Sequence, residues 1–304
     1  MVSSRFVRLA KKVVLFVCLL LVLFLLWYSG EYGNLEYEPI EPVVKEGPVY
    51  KQQLPIIYIV TPTYKRAAQM ADMTRLAQTL QLVPSIHWIV VEDSENLTQP
   101  VSNLLRRTGV PFTHLCSKKP KNKTNPTSGR GVANRMKAIE WLRNSSINDG
   151  VLYFADDDNS YDVRIFEEMR WTKKASVWPV GLASKYSISS PILKDGKVIG
   201  FHDGFKRSRL FAVDMAGFAV SIRLLKQSKN PSMPYRLGHL EDGFLKSLKI
   251  KMRDLEPKAA NCTEVLVWHT KTLSKKMPSW ENVKKEEETF TQSNLKELYS
   301  KILN

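Results

Sequence analysis

Two short apolar, β-branched runs with a helical stripe between them constrain this chain more than any other feature. "IIYIVTPTY" (Ile56–Tyr64) and "SIHWIVVEDS" (Ser85–Ser94) have the length and residue bias of buried strands. Between them Ala67, Met70, Met73, Leu76, Ala77 and Leu80 recur at the spacing of one helix face. The pattern repeats as a short strand within "VPFTHLC", a stripe of Val132, Met136, Ile139 and Leu142, and a buried strand "GVLYFA" closing on Asp156. Strand and helix alternating in this way predict an α/β fold on a parallel sheet, whose ligands collect outside the carboxyl ends of the strands. Polar residues follow the first, second and fourth strands there. The chain has no P-loop glycine signature, no G-x-G-x-x-G and no internal repeat.

The second half is less regular. "SVWPVGL", "KVIGFH" and "LFAVDMAGFAVSI" read as extended segments, and "GHLEDGFLKSL" as a helix opened by Gly238, which predicts a second subregion sharing the same sheet. The charged tail 275–304 has a composition compatible with a helix.

The front of the chain is an address. Arg5, Arg8, Lys11 and Lys12 precede the apolar run Val13–Tyr28, and Glu31, Glu36, Glu38 and Glu41 follow it. The run is long for a signal-peptide core and lacks an A-x-A-like cleavage site, so an uncleaved signal anchor is expected. The charge bias then predicts a cytosolic tail 1–12, a single-pass transmembrane segment 13–28 and a lumenal remainder, a type II arrangement. Residues 29–54, rich in Glu and Pro and without helical period, read as a stem, and the folded domain as 55–304. Sequons at Asn96, Asn122, Asn144 and Asn261 agree with that topology. Cys116 and Cys262 are expected either as one disulfide or as two free buried thiols. The net charge of +15 invites a nucleic-acid partner, but a secretory address argues against one and favours nucleotide-sugars or acidic glycans.

The negative exception is "VLYFADDDNSYD", where Asp156, Asp157 and Asp158 follow a buried strand. They could cap a helix beginning near Tyr161. A calcium loop of the EF-hand kind fails on spacing. The third reading is a hard-cation site for a nucleotide diphosphate, in which one or two carboxylates and the phosphate oxygens share an ion such as Mg²⁺ or Mn²⁺. A bound cation would also offset repulsion among the three carboxylates.

These segments, in order, carry a resemblance: "TPTY", "VEDS", "RGVANRMKAIEWL", "YFADDDNSYD", "RWTKKASVWPVG", "VDMAGFAV", "GHLED", "LEPKAANCT" and "LVWHTKT". Together, from about Ile56 to Thr272, they are similar to the animal β-1,3-glucuronosyltransferases of glycosyltransferase family 43. The resemblance implies a GT-A fold, inverting transfer of glucuronic acid from UDP-glucuronic acid to a terminal galactose, dependence on Mn²⁺, a homodimer and residence in the Golgi membrane. It divides the folded domain into a donor-nucleotide half, 55–160, and an acceptor half, 161–274. By position it places Pro62, Tyr64 and Asp93 on the uridine, Arg130 and Arg135 near the donor, Asp156 on the donor sugar and Asp157 on the ribose. Asp158 becomes the metal ligand, and His269 with Lys271 faces the diphosphate. Tyr64 can offer its ring to uracil and Asp93 an acceptor to the imide N–H.

An inverting transfer needs a base on the acceptor side, because the attacking hydroxyl must lose its proton. The residues alone leave Glu241 and Asp242 open for that role; the resemblance selects Glu241. It also implies Arg209 and Asp214 as acceptor hydrogen-bonding residues and Phe205 as an aromatic platform for galactose. Phe205 stands where the linkage-region enzymes carry Trp, Lys271 where Arg is common and Leu237 where a basic residue often precedes "GHLE"; the first puts the identity of the acceptor in question. The expected acceptor is the proteoglycan linkage region, with an N-acetyllactosamine-type terminus as the alternative. A transferase using another UDP-sugar and a membrane-anchored glycan-binding protein without activity are the competing readings.

Overall fold

The computed structural model describes residues 16–24, 54–120, 122, 129–205, 208–273, 293–295 and 297–299. Residues 16–24, in a unit of their own, are helical with exposed side chains. Among the described residues no helix is long and apolar enough to cross a membrane. The rest of the expected anchor 13–28, the tail before it, the stem up to residue 53 and most of 275–304 lie outside the described residues.

The second unit is built on a seven-stranded sheet whose strands lie in the order Leu255–Pro257, Ala175–Val177, Phe218–Ser221, Val151–Phe154, Ile57–Thr63, Ile86–Glu92 and Phe112–Cys116. Its parallel block comprises β1 (Ile57–Thr63), β2 (Ile86–Glu92), β3 (Phe112–Cys116) and β4 (Val151–Phe154). The alternation of the sequence is thus borne out, with helices Gln69–Leu80 and Val132–Asn144 at the expected stripes. A further helix, Gln99–Thr108, joins β2 to β3; the sequence reading passed over it, although Pro100 in its first turn and Gly109 at φ +70 just past its end are start and stop signals.

Period-two alternation along the strands sends side chains to both faces. Ile57, Ile59, Trp88 and Val90 join one buried cluster with Leu76, Leu80, Leu104 and Phe166; Tyr58, Val60, Ile89 and Val91 join another with Ile139, Leu142 and Phe244. With both faces covered, only the strand ends are left to meet ligands.

The second half departs from the expectation of one shared sheet. β6 (Ala175–Val177), β10 (Phe218–Ser221) and β11 (Leu255–Pro257) do extend the main sheet, with β10 antiparallel to both β4 and β6. A second sheet of order β5-β12-β7-β8-β9 holds β5 (Ser160–Tyr161), β7 (Val180–Gly181), the hairpin β8 (Ile188–Lys194) and β9 (Lys197–His202), and β12 (Val267–Trp268). "SVWPVGL" is therefore split at Trp178–Pro179 between the two sheets, because Pro179 has no N–H to continue a ladder. The helix expected near Tyr161 begins at Arg164 instead, since Ser160 and Tyr161 are drawn into pairing with Trp268 and Val267. "LFAVDMAGFAVSI" is interrupted by a 3₁₀ turn, Met215–Gly217, whose Ala216 N–H donates to the side chain of Asp214. Ala259, Ala260, Asn261 and Cys262 follow β11 as a left-handed turn with φ between +51 and +60. Cys116 and Cys262 are both free thiols, so of the two cysteine expectations the disulfide is not formed.

Candidate active site

The carboxyl ends of β1, β2 and β4 converge. The Asp93 N–H donates to the carbonyl of Thr63 at 2.8 Å, tying the end of β2 to the end of β1 and setting Tyr64 and Asp93 on one rim. Tyr64 leaves 48% of its surface open. Asp93 is exposed and accepts from the Lys119 N–H at 3.1 Å. Pro62, inside β1, lies beside Gly131, where a β-carbon would stand 3.4 Å from the Pro62 Cβ. Gly131 begins the helix Val132–Asn144 at φ +67, and the same β-carbon would meet Arg135 Nη1 at 2.6 Å. Glycine here lets Arg135 fold back over the helix end, where its Nη1 donates to the Arg130 carbonyl and its Nη2 to Asp156 Oδ1. Arg135 is buried and Arg130 exposed, so the two arginines do not act as a pair.

The three aspartates are not equivalent. Asp156 is ion-paired with Arg135. Asp157 is buried and receives three donors: Arg66 Nη1 and Nη2 at 2.9 and 2.8 Å as a fork, and Thr63 Oγ1 at 2.7 Å. Burial pushes its carboxyl above the ordinary range, with Arg66 opposing that rise. Asp158 has no ion-pair partner among the described residues; burial and then the charges of Asp156 and Asp157 push its carboxyl up. The ionised form of Asp158 is therefore the least compensated of the three, and a cation there would stabilise it. The ligand set there is oxygen only, and no group of three or more His, Cys, Asp or Glu converges among the described residues. A cation at Asp158 would have to draw its other ligands from a phosphate-bearing substrate and water, which suits a hard divalent ion.

Opposite, the segment after β12 alternates. His269 and Lys271 are exposed, while Thr270 Oγ1 donates to the Asp158 carbonyl and Thr272 Oγ1 donates to Asp72 Oδ1 at 2.6 Å. His269 Nδ1 lies 3.0 Å from Asp214 Oδ2, and that hydrogen bond raises the imidazole to about 9. The ring is a cation at neutral pH and suits an anion such as a diphosphate. Asp214 accepts from the Ala216 N–H at 3.0 Å through Oδ1 and holds His269 through Oδ2, so it orients the imidazole.

The head of the helix Leu240–Ser247 separates Glu241 from Asp242. Asp242 is buried and saturated: Oδ1 accepts from the N–H groups of Leu210 and Phe211, both at 2.9 Å, and Oδ2 from Lys246 at 2.7 Å. Among the described residues, Glu241 Oε2 is buried without a hydrogen-bond partner. Although 16% of the Glu241 side chain reaches solvent, desolvation raises its carboxyl to about 7; Asp214 adds to the rise, and Arg209 and Arg135 oppose it. Phe205 packs on Gly238, which has φ +74 and where a β-carbon would stand 2.0 Å from Phe205 Cε1. The Arg209 guanidinium lies 5.4 Å from the Phe205 ring centre. Arg209 is buried with its Nε bonded to the Phe205 carbonyl, its Nη2 to Asp203 and its Nη1 to the Val213 carbonyl.

Residues 76–273 match the family model described as glycosyltransferase family 43. The chain belongs to glycosyltransferase family 43. It is 47% identical over 226 residues to galactosylgalactosylxylosylprotein 3-beta-glucuronosyltransferase S of Drosophila melanogaster, spanning 74% of this chain and 55% of the fly protein. It is 45% identical over 265 residues to the human galactosylgalactosylxylosylprotein 3-beta-glucuronosyltransferase 3, covering 81% and 79% of the two chains. With the Caenorhabditis elegans sqv-8 enzyme of the same name it shares 44% identity over 241 residues, 76% of this chain and 68% of that one.

Within this family-43 chain, reasoning from sequence missed the support of the aspartates. Arg66 forks onto Asp157 and reaches Asp72 Oδ2 at 2.8 Å, and its guanidinium carbon stands 4.8 Å from the centre of the Tyr64 ring. Its place two residues after Tyr64 was the available signal. Asp72 gave none, because it occupies a helix position that reads as solvated. All four sequon asparagines, Asn96, Asn122, Asn144 and Asn261, are exposed.

Proposed function

We propose that the chain is an inverting β-1,3-glucuronosyltransferase, anchored in the Golgi membrane as a type II protein, that moves glucuronic acid from UDP-glucuronic acid to a terminal β-galactose. The names of its relatives support the proteoglycan linkage region as the acceptor. The observation that carries the chemistry is the contrast at the helix head: Asp242 is saturated, and Glu241 keeps an unpartnered oxygen and a carboxyl raised to about 7. A carboxylate with that affinity takes a proton efficiently near neutral pH.

On this reading, which supposes a GT-A frame, Tyr64 and Asp93 hold uracil, and Arg135 and Asp156 orient the donor sugar. Asp157 meets the ribose only through an edge left by its fork with Arg66. Mn²⁺ would be held by Asp158 and, when bound, supplies charge to stabilise the departing diphosphate. Protonated His269, oriented by Asp214, and Lys271 face that diphosphate. Glu241 takes the proton of the acceptor hydroxyl as it attacks the anomeric carbon, with the acceptor ring resting on Phe205. UDP release and glucuronide formation are to be measured with UDP-glucuronic acid, Mn²⁺ and a panel of galactose-terminated acceptors. Transfer to a galactosyl-galactosyl-xylose acceptor is expected; no transfer to any acceptor overturns the reading in favour of a glycan-binding protein.

A further inference from the structure

Asp203 follows directly on β9 and belongs to none of the roles above. Its side chain is 6% exposed, and its Oδ1 accepts two hydrogen bonds, from the Phe205 N–H at 2.7 Å and from Arg209 Nη2 at 2.7 Å. Arg209 is therefore a buried cation between two carboxylates. Its Nη2 is bonded to Asp203, while its Nη1 donates to the Val213 carbonyl at 3.5 Å and lies 4.0 Å from Glu241 Oε2, beyond hydrogen-bond distance. That Glu241 oxygen is the one without a partner.

A guanidinium with 5% of its side chain exposed needs a carboxylate, because an unpaired buried charge is costly. With Asp203 removed, Glu241 is the only other acidic side chain paired with Arg209 among the described residues. A small rotation would close the gap, and Glu241 would then be both a weaker base and blocked by the new hydrogen bond. We infer that Asp203 is a positioning residue that withholds Arg209 from Glu241, leaving Oε2 open to the acceptor hydroxyl. The same oxygen, through the Phe205 N–H, fixes the backbone that carries the aromatic ring, so one carboxylate sets both the base and its platform. The inference rests on Glu241 being the base.

Other charges also act on Glu241. Among the described residues they are Asp214, Arg209 and Arg135, whereas Asp242 on the same helix is turned toward Leu210, Phe211 and Lys246. Only Arg209 is shared with Asp203, so a change at Asp203 reaches the base through that guanidinium.

The test compares the full chain with Asp203→Asn, Asp203→Ser, Asp203→Glu and Glu241→Gln, recording kcat and KM for donor and acceptor across pH ~5.5 to ~9. Asn and Ser can both still accept from the Phe205 N–H without charge, so the second covers a failure of the first to fold, checked by thermal unfolding. Expected are a fall in kcat of about tenfold near neutral pH, an acid limb displaced toward lower pH by about one pH unit and an unchanged donor KM, with recovery in Asp203→Glu. A limb that stays at the wild-type position in both uncharged variants, whatever happens to kcat, overturns the inference, because a merely structural role changes stability and rate but not the limb. If Glu241→Gln retains wild-type transfer, the base assignment has failed and this inference with it. If Glu241→Gln is inactive while the limb stands still, only this inference has failed.

Discussion

The aspartate cluster after β4 and the Glu241–Asp242 pair divide their partners in the same uneven way. On the donor side Asp156 and Asp157 take the arginines and Asp158 is left with unbalanced charge. On the acceptor side Asp242 takes the backbone donors and a lysine, and Glu241 is left with an empty oxygen. What differs is the remedy each leftover group requires. Unbalanced charge in a crowd of carboxylates calls for a cation; an unfilled acceptor in a desolvated position calls for a proton donor. Hydrogen-bond satisfaction therefore separates neighbours of the same residue class into those that build the site and those that work in it.

The largest effect should come from the acceptor side. Glu241→Gln is expected to lower kcat by about 10²–10⁴ while Mn²⁺-dependent UDP binding persists, measured by initial rates and calorimetry. Asp242→Asn should do the reverse, costing about 1–3 kcal/mol of stability because it weakens the hold on the Leu210 and Phe211 N–H groups, the second of them buried, with the loss read from denaturant unfolding. Equal catalytic losses with no change in stability would erase the distinction between them.

On the donor side, Asp158→Ala should abolish the Mn²⁺ dependence of UDP binding without lowering the melting temperature, since no ion pair among the described residues is broken. Arg66→Ala should lower the melting temperature, because it strands Asp157 and removes a partner of Asp72. The smallest effect concerns His269. Its raised affinity for a proton keeps it cationic at neutral pH and neutralises it as pH rises through about 9. UDP affinity should hold below that value and fall about tenfold above it, and Asp214→Asn should bring the fall to lower pH.

Much of the frame was legible in the sequence, because β-branched runs and stripes at helical spacing report directly on burial. The parallel block and the polar strand ends followed from that. Pairing decided by contacts distant in sequence was not legible: Ser160–Tyr161 looked like the entry to a helix until β12 drew it into a sheet, and Trp178–Pro179 looked like the interior of one strand. At the site, the residues alone showed a carboxylate cluster and the Glu241–Asp242 pair, and the family resemblance singled out Glu241, Asp158 and His269. Who partners whom was hidden, since Arg66 and Asp72 work through neighbours up to 200 residues away along the chain, as in Thr272 to Asp72, and Asp203, though bonded to Phe205 and Arg209 nearby, lies at a turn with no periodic signal.

Gly238 leaves a last consequence. The volume its side chain would fill is occupied by the Phe205 ring, whose edge would stand 2.0 Å from a β-carbon. The seat of the Phe205 ring, the proposed acceptor platform, is in this sense moulded by a missing atom more than thirty positions later in the chain. Positions 205 and 238 then behave as one unit of shape: a wider ring at the first, with a different sugar upon it, can be fitted only while the second stays bare.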